Sequence, residues 1–193
     1  MLSLDDLIRE AEIAHGHLCA GQILGVRLAM LGLAKLGIED PRGKDRKRLV
    51  TFVEIDRCAT DAIGVVTGCR LGKRALKFRD WGKMAATFVD LESGKAIRVA
   101  AKESSKKLAR EMHPELENKN QQQMLAYREM KDDDLFSTQW VKVELPPEEF
   151  PGYKAERIFC AECGEGINFH REVEREGRVL CRACAGEKYY EDV

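Results

Sequence analysis

The stretch CAECGEGINFHREVEREGRVLCRAC, residues 160–184, indicates how the C-terminal end of this chain folds. It holds two Cys-x2-Cys pairs separated by seventeen residues, with the thiols at Cys160, Cys163, Cys181 and Cys184. Each pair presents two thiolates on one tight turn, and zinc accepts four thiolates in a tetrahedron. Because four cysteines close the coordination shell, we predict a structural zinc with no open position for substrate.

Upstream of this module lies a stiff polar segment that is typical of a linker. It begins PPEEFPG, residues 146–152, in which the prolines restrict the backbone and the acids favour solvent. We therefore divide the chain into a core of residues 1–145, a linker of residues 146–157 and a four-cysteine finger of residues 158–193. The finger has few apolar residues, so zinc binding would supply its folding free energy, on the order of 10 kcal/mol.

The patterns in the core predict a mixture of helices and strands. Apolar residues recur at helical spacing after Ser3, and a nearly all-apolar run ends before Gly37. Helices are predicted near residues 4–14, 20–36 and 59–67, with a polar helical region at 104–131 interrupted by His113-Pro114; strands are predicted at 49–55, 76–78, 85–91, 96–101 and 140–145. This order predicts an α+β core domain with a small C-terminal four-cysteine zinc finger, treble-clef or ribbon-like.

Composition excludes several broad classes of protein. The 193 residues carry 32 Lys and Arg against 33 Asp and Glu, so no global charge attracts nucleic acid or a membrane surface. The start, MLSLDDLIRE, lacks the basic region of a secretory signal, and the apolar run of residues 20–36 is too short and too polar to cross a bilayer. We expect a cytoplasmic protein whose seven cysteines hold metal or act as thiols rather than form disulfides.

A second group of chemically active residues lies in the core, at His15-Gly16-His17-Leu18-Cys19. Cys19 falls at the start of the second predicted helix, where unpaired N–H groups and the helix dipole stabilise a thiolate. Two imidazoles within four residues add metal ligands or a proton acceptor. The combination suits a metal site or an activated thiol, and both remain open.

Further candidates follow the first predicted strand. Cys58 comes after the strand end that contains Glu54, with Asp61 one helical turn further on. The end of a strand that leads into a helix is a common place for ligand-binding groups. Cys69 and Lys73 follow the end of that helix, although Cys69 fits equally well as a small buried apolar residue. The candidate pocket residues are therefore His15, His17, Cys19, Glu54, Cys58, Asp61, Cys69 and Lys73.

Two family resemblances are carried by these motifs. Residues 160–184 resemble the C-terminal zinc finger of DksA/TraR-type bacterial regulators. The segments HGHLCAG at 15–21, EIDRCATDAIGVVTGC at 54–69, GK at 72–73 and DWGK at 80–83 resemble the FmdE family, named for the formylmethanofuran dehydrogenase operon. That resemblance implies an α+β core that forms an intertwined homodimer with a pocket lined by the His and Cys residues. Ala20 departs from the family, because many members have proline there.

Three functions fit these residues. The first is a metal-binding accessory or regulatory protein of a molybdenum or tungsten formylmethanofuran-dehydrogenase-like system. Its pocket would bind a second metal or a small ligand, and its finger would contact a protein partner. The second is an enzyme in which Cys19 or Cys58 is the nucleophile and His17 its base, with Asp61 or Lys73 positioning the substrate. The third is a nucleic-acid-binding transcriptional regulator that acts through the finger; it ranks last because acids outnumber basic residues from residue 160 onward.

Overall fold

The computed structural model describes residues 2–191 and 193. The chain divides into two compact units, Met1–Glu144 and Leu145–Val193. Each unit has its own cluster of buried apolar residues, a large one in the first unit and a small one around the cysteines in the second. The proline-rich residues of the predicted linker belong to the second unit, and Pro147–Glu149 forms a short 3-10 turn within them.

The first unit combines helices with one mixed sheet. Its helices are α1 (Leu4–His15), α2 (Ala20–Leu36), α3 (Cys58–Thr67), α4 (Ser104–Met112), α5 (Lys119–Glu129) and α6 (Asp132–Leu135). Its strands are β1 (Leu49–Val53), β2 (Leu76–Phe78), β3 (Ala85–Asp90), β4 (Ala96–Ala101) and β5 (Phe136–Val141). The sheet order is β2-β1-β3-β4-β5, with β1 and β2 parallel and the remaining pairs antiparallel. The predicted α+β core is confirmed.

Local sequence explains where the first helices begin and end. The Ser3 hydroxyl accepts the N–H of Asp6, which caps α1, and Gly16 ends the helix at a φ of 93°. Helix α2 is apolar almost all round and is buried along most of its length. It ends at Gly37, whose φ of 68° is readily adopted by glycine.

Close packing of α2 depends on two of its glycines. A Cβ at Gly25 would lie 2.5 Å from the carbonyl oxygen of Ala59, so α2 and α3 approach each other to backbone contact there. A Cβ at Gly32 would overlap the ring of Phe88 on β3, so α2 lies directly against that ring. Helix α2 therefore packs between α3 and the sheet, and the start of α2 is fixed relative to the start of α3.

The C-terminal half of the core differs from the predicted elements. The polar helical region is interrupted at His113-Pro114 as predicted, because the residue before a proline disfavours helix, and α4 ends at Met112. The other two elements depart from the prediction. The short helix α6 was not predicted. The last strand, predicted at residues 140–145, lies instead at Phe136–Val141. Four of its central side chains are exposed, so this edge strand lacks the alternating apolar pattern on which the prediction relied.

The second unit has the order of a treble-clef finger. Strands β6 (Ile158–Phe159) and β7 (Gly166–Ile167) pair around the first cysteine pair. Strands β8 (Val173–Arg175) and β9 (Arg178–Leu180) then form a hairpin, and a short helical turn, Ala183–Glu187, follows. The turn of the hairpin places Glu176 and Gly177 at positive φ, which suits a two-residue hairpin turn.

Candidate functional site

The finger cysteines converge on one point. The sulfur atoms of Cys160, Cys163, Cys181 and Cys184 all lie within 4.8 Å of one another. Zinc–sulfur bonds of about 2.3 Å place the sulfurs of a tetrahedral site about 3.8 Å apart, and the Sγ atoms of Cys163 and Cys181 are 3.9 Å apart. The donor set therefore fits a zinc ion with four thiolate ligands, as predicted.

Backbone N–H groups favour thiolates in this cluster. The N–H of Cys181 donates to the Sγ of Cys160 (3.2 Å), and the N–H of Cys184 donates to the Sγ of Cys181 (3.4 Å). The backbone N–H groups around Cys160 lower the pKa of its thiol to about 6. The neighbouring sulfurs, chiefly that of Cys181, raise the pKa of Cys184. Four thiols this close cannot all ionise without a cation among them, and a bound zinc supplies that charge.

The core candidates meet where α1 ends and where α2 and α3 begin. The Nδ1 of His15 lies 2.9 Å from a carboxylate oxygen of Asp61, so α1 and α3 are joined by this pair. The ring of His17 lies 4.8 Å from the ring of His15, centroid to centroid, and is exposed. The fold thus brings the imidazoles of His15 and His17 together with Asp61, which is 46 positions from His15 in the sequence.

The two core thiols flank the same small residue. A Cβ at Gly21 would lie 3.7 Å from the Sγ of Cys19 and 3.5 Å from the Cβ of Cys58. Cys19 is the N-cap of α2, and Cys58 is the first residue of α3. Burial, together with the neighbouring Cys19 thiol, raises the pKa of Cys58. Both sulfurs therefore lie at helix starts, where the helix dipoles favour an anion. We call His15, His17, Cys19, Cys58 and Asp61 the core cluster.

One residue of this region was not predicted. The side-chain oxygen of Asn120, on α5, accepts the N–H of Ala20 (3.2 Å) in the first turn of α2. Cys19 makes no side-chain cap hydrogen bond, so its sulfur is left for other partners. Asn120 is 100 positions away from Ala20 in the sequence, and no local pattern around it indicates this contact.

The other three pocket candidates lie elsewhere. Glu54 is buried and binds Arg98 of β4 through both carboxylate oxygens (2.7 and 2.6 Å), which raises the pKa of Arg98. Cys69 is buried in the apolar core, where burial raises the pKa of its thiol. It follows the last residue of α3, whereas Cys58 is the first residue of that helix. Lys73 is exposed in a 3-10 turn near Cys69.

The two clusters differ in how complete they are as metal sites. Within residues 2–191 and 193, the finger cysteines are the only group of three or more His, Cys, Asp or Glu side chains whose ligand atoms converge closely enough for one ion. The core cluster offers two neighbouring thiols and an imidazole held by a carboxylate, with a second imidazole exposed beside it. A third ligand would have to reach the thiols by rotation of a histidine side chain.

Comparison with known proteins finds one family match for the core and another for the finger. Residues 14–137 match the family model described as FmdE, molybdenum formylmethanofuran dehydrogenase operon. The chain belongs to the FmdE family. Residues 154–190 match the prokaryotic DksA/TraR C4-type zinc finger. The FmdE match contains every residue of the core cluster, and the finger match contains all four finger cysteines.

Two individual proteins are similar over nearly the whole chain. A protein of Archaeoglobus fulgidus described as a probable S-adenosyl-L-methionine-binding protein is 32% identical over 208 residues, covering 96% of this chain and 54% of that relative. The chain thus spans about half the length of the curated relative it matches. A tungsten formylmethanofuran dehydrogenase FmdE-like protein of Syntrophus aciditrophicus shares the fold, with a TM-score of 0.66, 21% identity and coverage of 98% and 96% of the two chains. Among the helices that the structure describes, none has the length and apolarity needed to span a membrane.

Proposed function

We propose that this FmdE-family protein is a cytoplasmic homodimer that binds a metal ion in the core cluster, in addition to the finger zinc. It would serve as an accessory or regulatory protein of a molybdenum or tungsten formylmethanofuran-dehydrogenase-like system. One observation carries the proposal: Cys19 and Cys58 flank Gly21 at the starts of two helices, beside a histidine oriented by a carboxylate. The homodimer and the cellular role rest on the family resemblance.

The chemistry of the core cluster suits a soft or borderline metal ion. Histidines that bind metals commonly have one ring nitrogen held by a carboxylate, which fixes the tautomer and leaves the other nitrogen for the metal. Asp61 holds the Nδ1 of His15 in this way, so its Nε2 is available as a ligand. Two thiolates and an imidazole favour zinc, copper(I) or iron over magnesium or calcium. His17 would supply the fourth ligand or leave that position for a small ligand.

The alternative of a thiol-dependent enzyme is less well supported. A nucleophilic cysteine requires a thiolate near neutral pH, and such thiols have a lowered pKa. The pKa of Cys58 is raised instead, because its thiol is partly buried beside the Cys19 thiol. A bound cation would reverse that effect and ionise both thiols together. Partial burial beside a second thiol therefore favours Cys58 as a metal ligand over Cys58 as a free nucleophile.

The finger is proposed to bind a protein partner. Its own core is small, yet it exposes large aromatic side chains, among them Phe159 and Tyr189, which are 66% and 95% exposed. Exposed aromatic side chains are enriched at protein interfaces. Since all four cysteines are in the closed cluster, the finger presents a rigid surface rather than a reactive centre.

Metal counting in the full-length protein tests the core site. We expect anaerobically purified wild-type protein to bind two metal ions per chain and the double variant Cys19→Ser/Cys58→Ser to bind one. Cys69→Ser is the matched control, because Cys69 is a core cysteine outside the core cluster, and it should still bind two. One ion per chain in both the wild type and the double variant would contradict the proposal.

A second candidate ligand comes from the Archaeoglobus relative. Its description names S-adenosyl-L-methionine, and its similarity extends over 96% of this chain. Equilibrium dialysis of radiolabelled S-adenosyl-L-methionine against the full-length protein tests this directly. Saturable binding that is lost in Cys19→Ser/Cys58→Ser would locate the ligand at the core cluster, and no saturable binding would remove this candidate.

A further inference from the structure

A run of basic residues in the loop between α2 and β1 belongs to neither cysteine cluster. Five of the eight residues from Pro41 to Arg48 are Lys or Arg, against one acid, Asp45. Short runs this rich in Lys and Arg are typical of surfaces that bind nucleic acids or other polyanions. The net charge of the whole chain is only −1, so attraction of a polyanion to this protein has to be local.

The aspartates of this loop are used within the loop itself. The Asp40 carboxylate accepts the backbone N–H groups of Gly43 (3.0 Å) and Lys44 (2.9 Å). Asp45 is buried, and its carboxylate accepts the N–H of Asp40 (3.1 Å) and also binds Arg48. These contacts hold the loop in a compact turn and leave the remaining Lys and Arg side chains at the surface. Glu39 is exposed at the start of the loop.

A second basic segment lies against this loop. Arg42 packs on Gly68: a Cβ added to Gly68 would lie 3.0 Å from the Cγ of Arg42. At the other end of the loop, the Sγ of Cys69 lies 3.7 Å from the carbonyl oxygen of Leu49. These two contacts place the loop beside the turn that follows α3. We call the six exposed Lys and Arg side chains of these two segments the basic patch: Arg42, Lys44, Arg46, Lys47, Arg70 and Lys73. Arg42 is paired with Glu10 of α1.

We propose that this basic patch binds the phosphate backbone of a nucleic acid. Phosphate contacts need only cations and N–H donors, whereas a stable protein interface needs an apolar centre and a membrane surface needs inserted apolar side chains. Leu71 is the large apolar side chain exposed in this region, which is too little for either. The proposal goes beyond metal binding, and it places nucleic-acid contact on the core rather than on the finger.

Salt-dependent binding of two labelled probes to the full-length, zinc-loaded protein tests the proposal. The probes are a 20-nucleotide single-stranded RNA and a 20-base-pair duplex DNA of mixed sequence, followed by fluorescence anisotropy. For about five phosphate contacts, affinity should fall by roughly two to three orders of magnitude between about 50 and about 200 mM salt. The tighter of the two probes identifies the type of nucleic acid.

Two triple variants decide whether the patch is responsible. Lys44→Ala/Arg46→Ala/Lys47→Ala should weaken binding at least about tenfold at low salt and reduce the salt slope by about 2 to 3. Lys107→Ala/Arg110→Ala/Lys142→Ala removes the same charge from exposed positions outside the patch and should change binding less than about twofold. Equal losses in the two variants would overturn the proposal. The proposal would also be overturned if neither probe binds. It would likewise be overturned if polyglutamate of the same charge displaces the bound probe as effectively as unlabelled nucleic acid does.

Discussion

The finger cysteines and the core cysteines differ in what holds them in place. In the finger, four sulfurs lie within 4.8 Å of one another, and the buried apolar residues around them are few. In the core, Cys19 and Cys58 are positioned by α2 and α3, which belong to a large apolar cluster and touch at Gly25. We therefore expect the finger to need its metal to fold, and the core to hold its thiols in place whether or not a metal is bound.

For the proposed core metal site, this difference implies an ion that can exchange, in contrast to the structural ion of the finger. A metal that supplies the folding free energy cannot leave without unfolding the module. A metal held by side chains on a preformed scaffold can bind and dissociate while the fold persists. We therefore expect the core cluster to carry the chemistry of this protein and the finger to provide a fixed surface.

The largest expected effect is the loss of the finger fold without its zinc. Chelation, or the substitution Cys184→Ser, should collapse the amide NMR signals of the finger, because its buried core is too small to fold alone. Both tryptophans, Trp81 and Trp140, belong to the first unit, so their fluorescence follows unfolding of the core and should still show a cooperative transition. Dispersed amide signals from the finger in the metal-free protein would show that the finger, like the core, keeps its fold without metal.

Next in size is the effect of Glu54→Gln, which removes one partner of a buried ion pair. We expect a loss of about 3 kcal/mol of unfolding free energy in urea, since Arg98 would be left partly buried without its carboxylate. Glu103→Gln, in the exposed pair with Lys106, is the control and should change stability by less than about 1 kcal/mol. Loss of a bound metal in Glu54→Gln, with stability unchanged, would instead make Glu54 a ligand-binding residue.

A smaller effect is expected where α2 and α3 touch. Gly25→Ala places a methyl group against the backbone of Ala59, which cannot move aside as a side chain could, and should cost about 2 to 3 kcal/mol. Gly64→Ala, in α3, is the matched control, because the nearest atom to its Cβ is 3.4 Å away and alanine favours helix. If both substitutions leave urea unfolding unchanged, the close approach of α2 and α3 does not hold the core thiols in place.

The smallest effect is electrostatic and depends on pH. Hydrogen bonds from Arg48 lower the pKa of the buried Asp90 carboxyl to about 2 from the ordinary 3.8. Because the folded-state pKa is the lower one, this stabilisation is complete above about pH 4 and is lost as the pH falls through about 2. Asp90→Asn should cost about 2 kcal/mol at neutral pH by tryptophan fluorescence and nothing at the acid end. A difference that is independent of pH would contradict this assignment.

Much of this architecture can be predicted from local sequence, and the elements and contacts that were not predicted have physical explanations. The spacing of the finger cysteines and the capped, periodic pattern of residues 3–16 predicted their folds because those signals are local. Strand β5 was misplaced because an exposed edge strand has no alternating apolar pattern. Pairing of Glu54 with Arg98, and of Ala20 with Asn120, depends on chain distances of 44 and 100 residues that local patterns do not encode.

Cobalt titration of the metal-free, reduced protein shows whether the core cluster binds a metal ion in addition to the finger. Cobalt(II) replaces zinc and absorbs through thiolate-to-metal charge transfer in proportion to its sulfur ligands. The core site predicts two saturating steps, one with the intensity of four thiolates and one with about half of it. The smaller step should vanish in Cys19→Ser/Cys58→Ser and persist in Cys69→Ser. A single step at one ion per chain, the same in all three proteins, would contradict a metal site in the core.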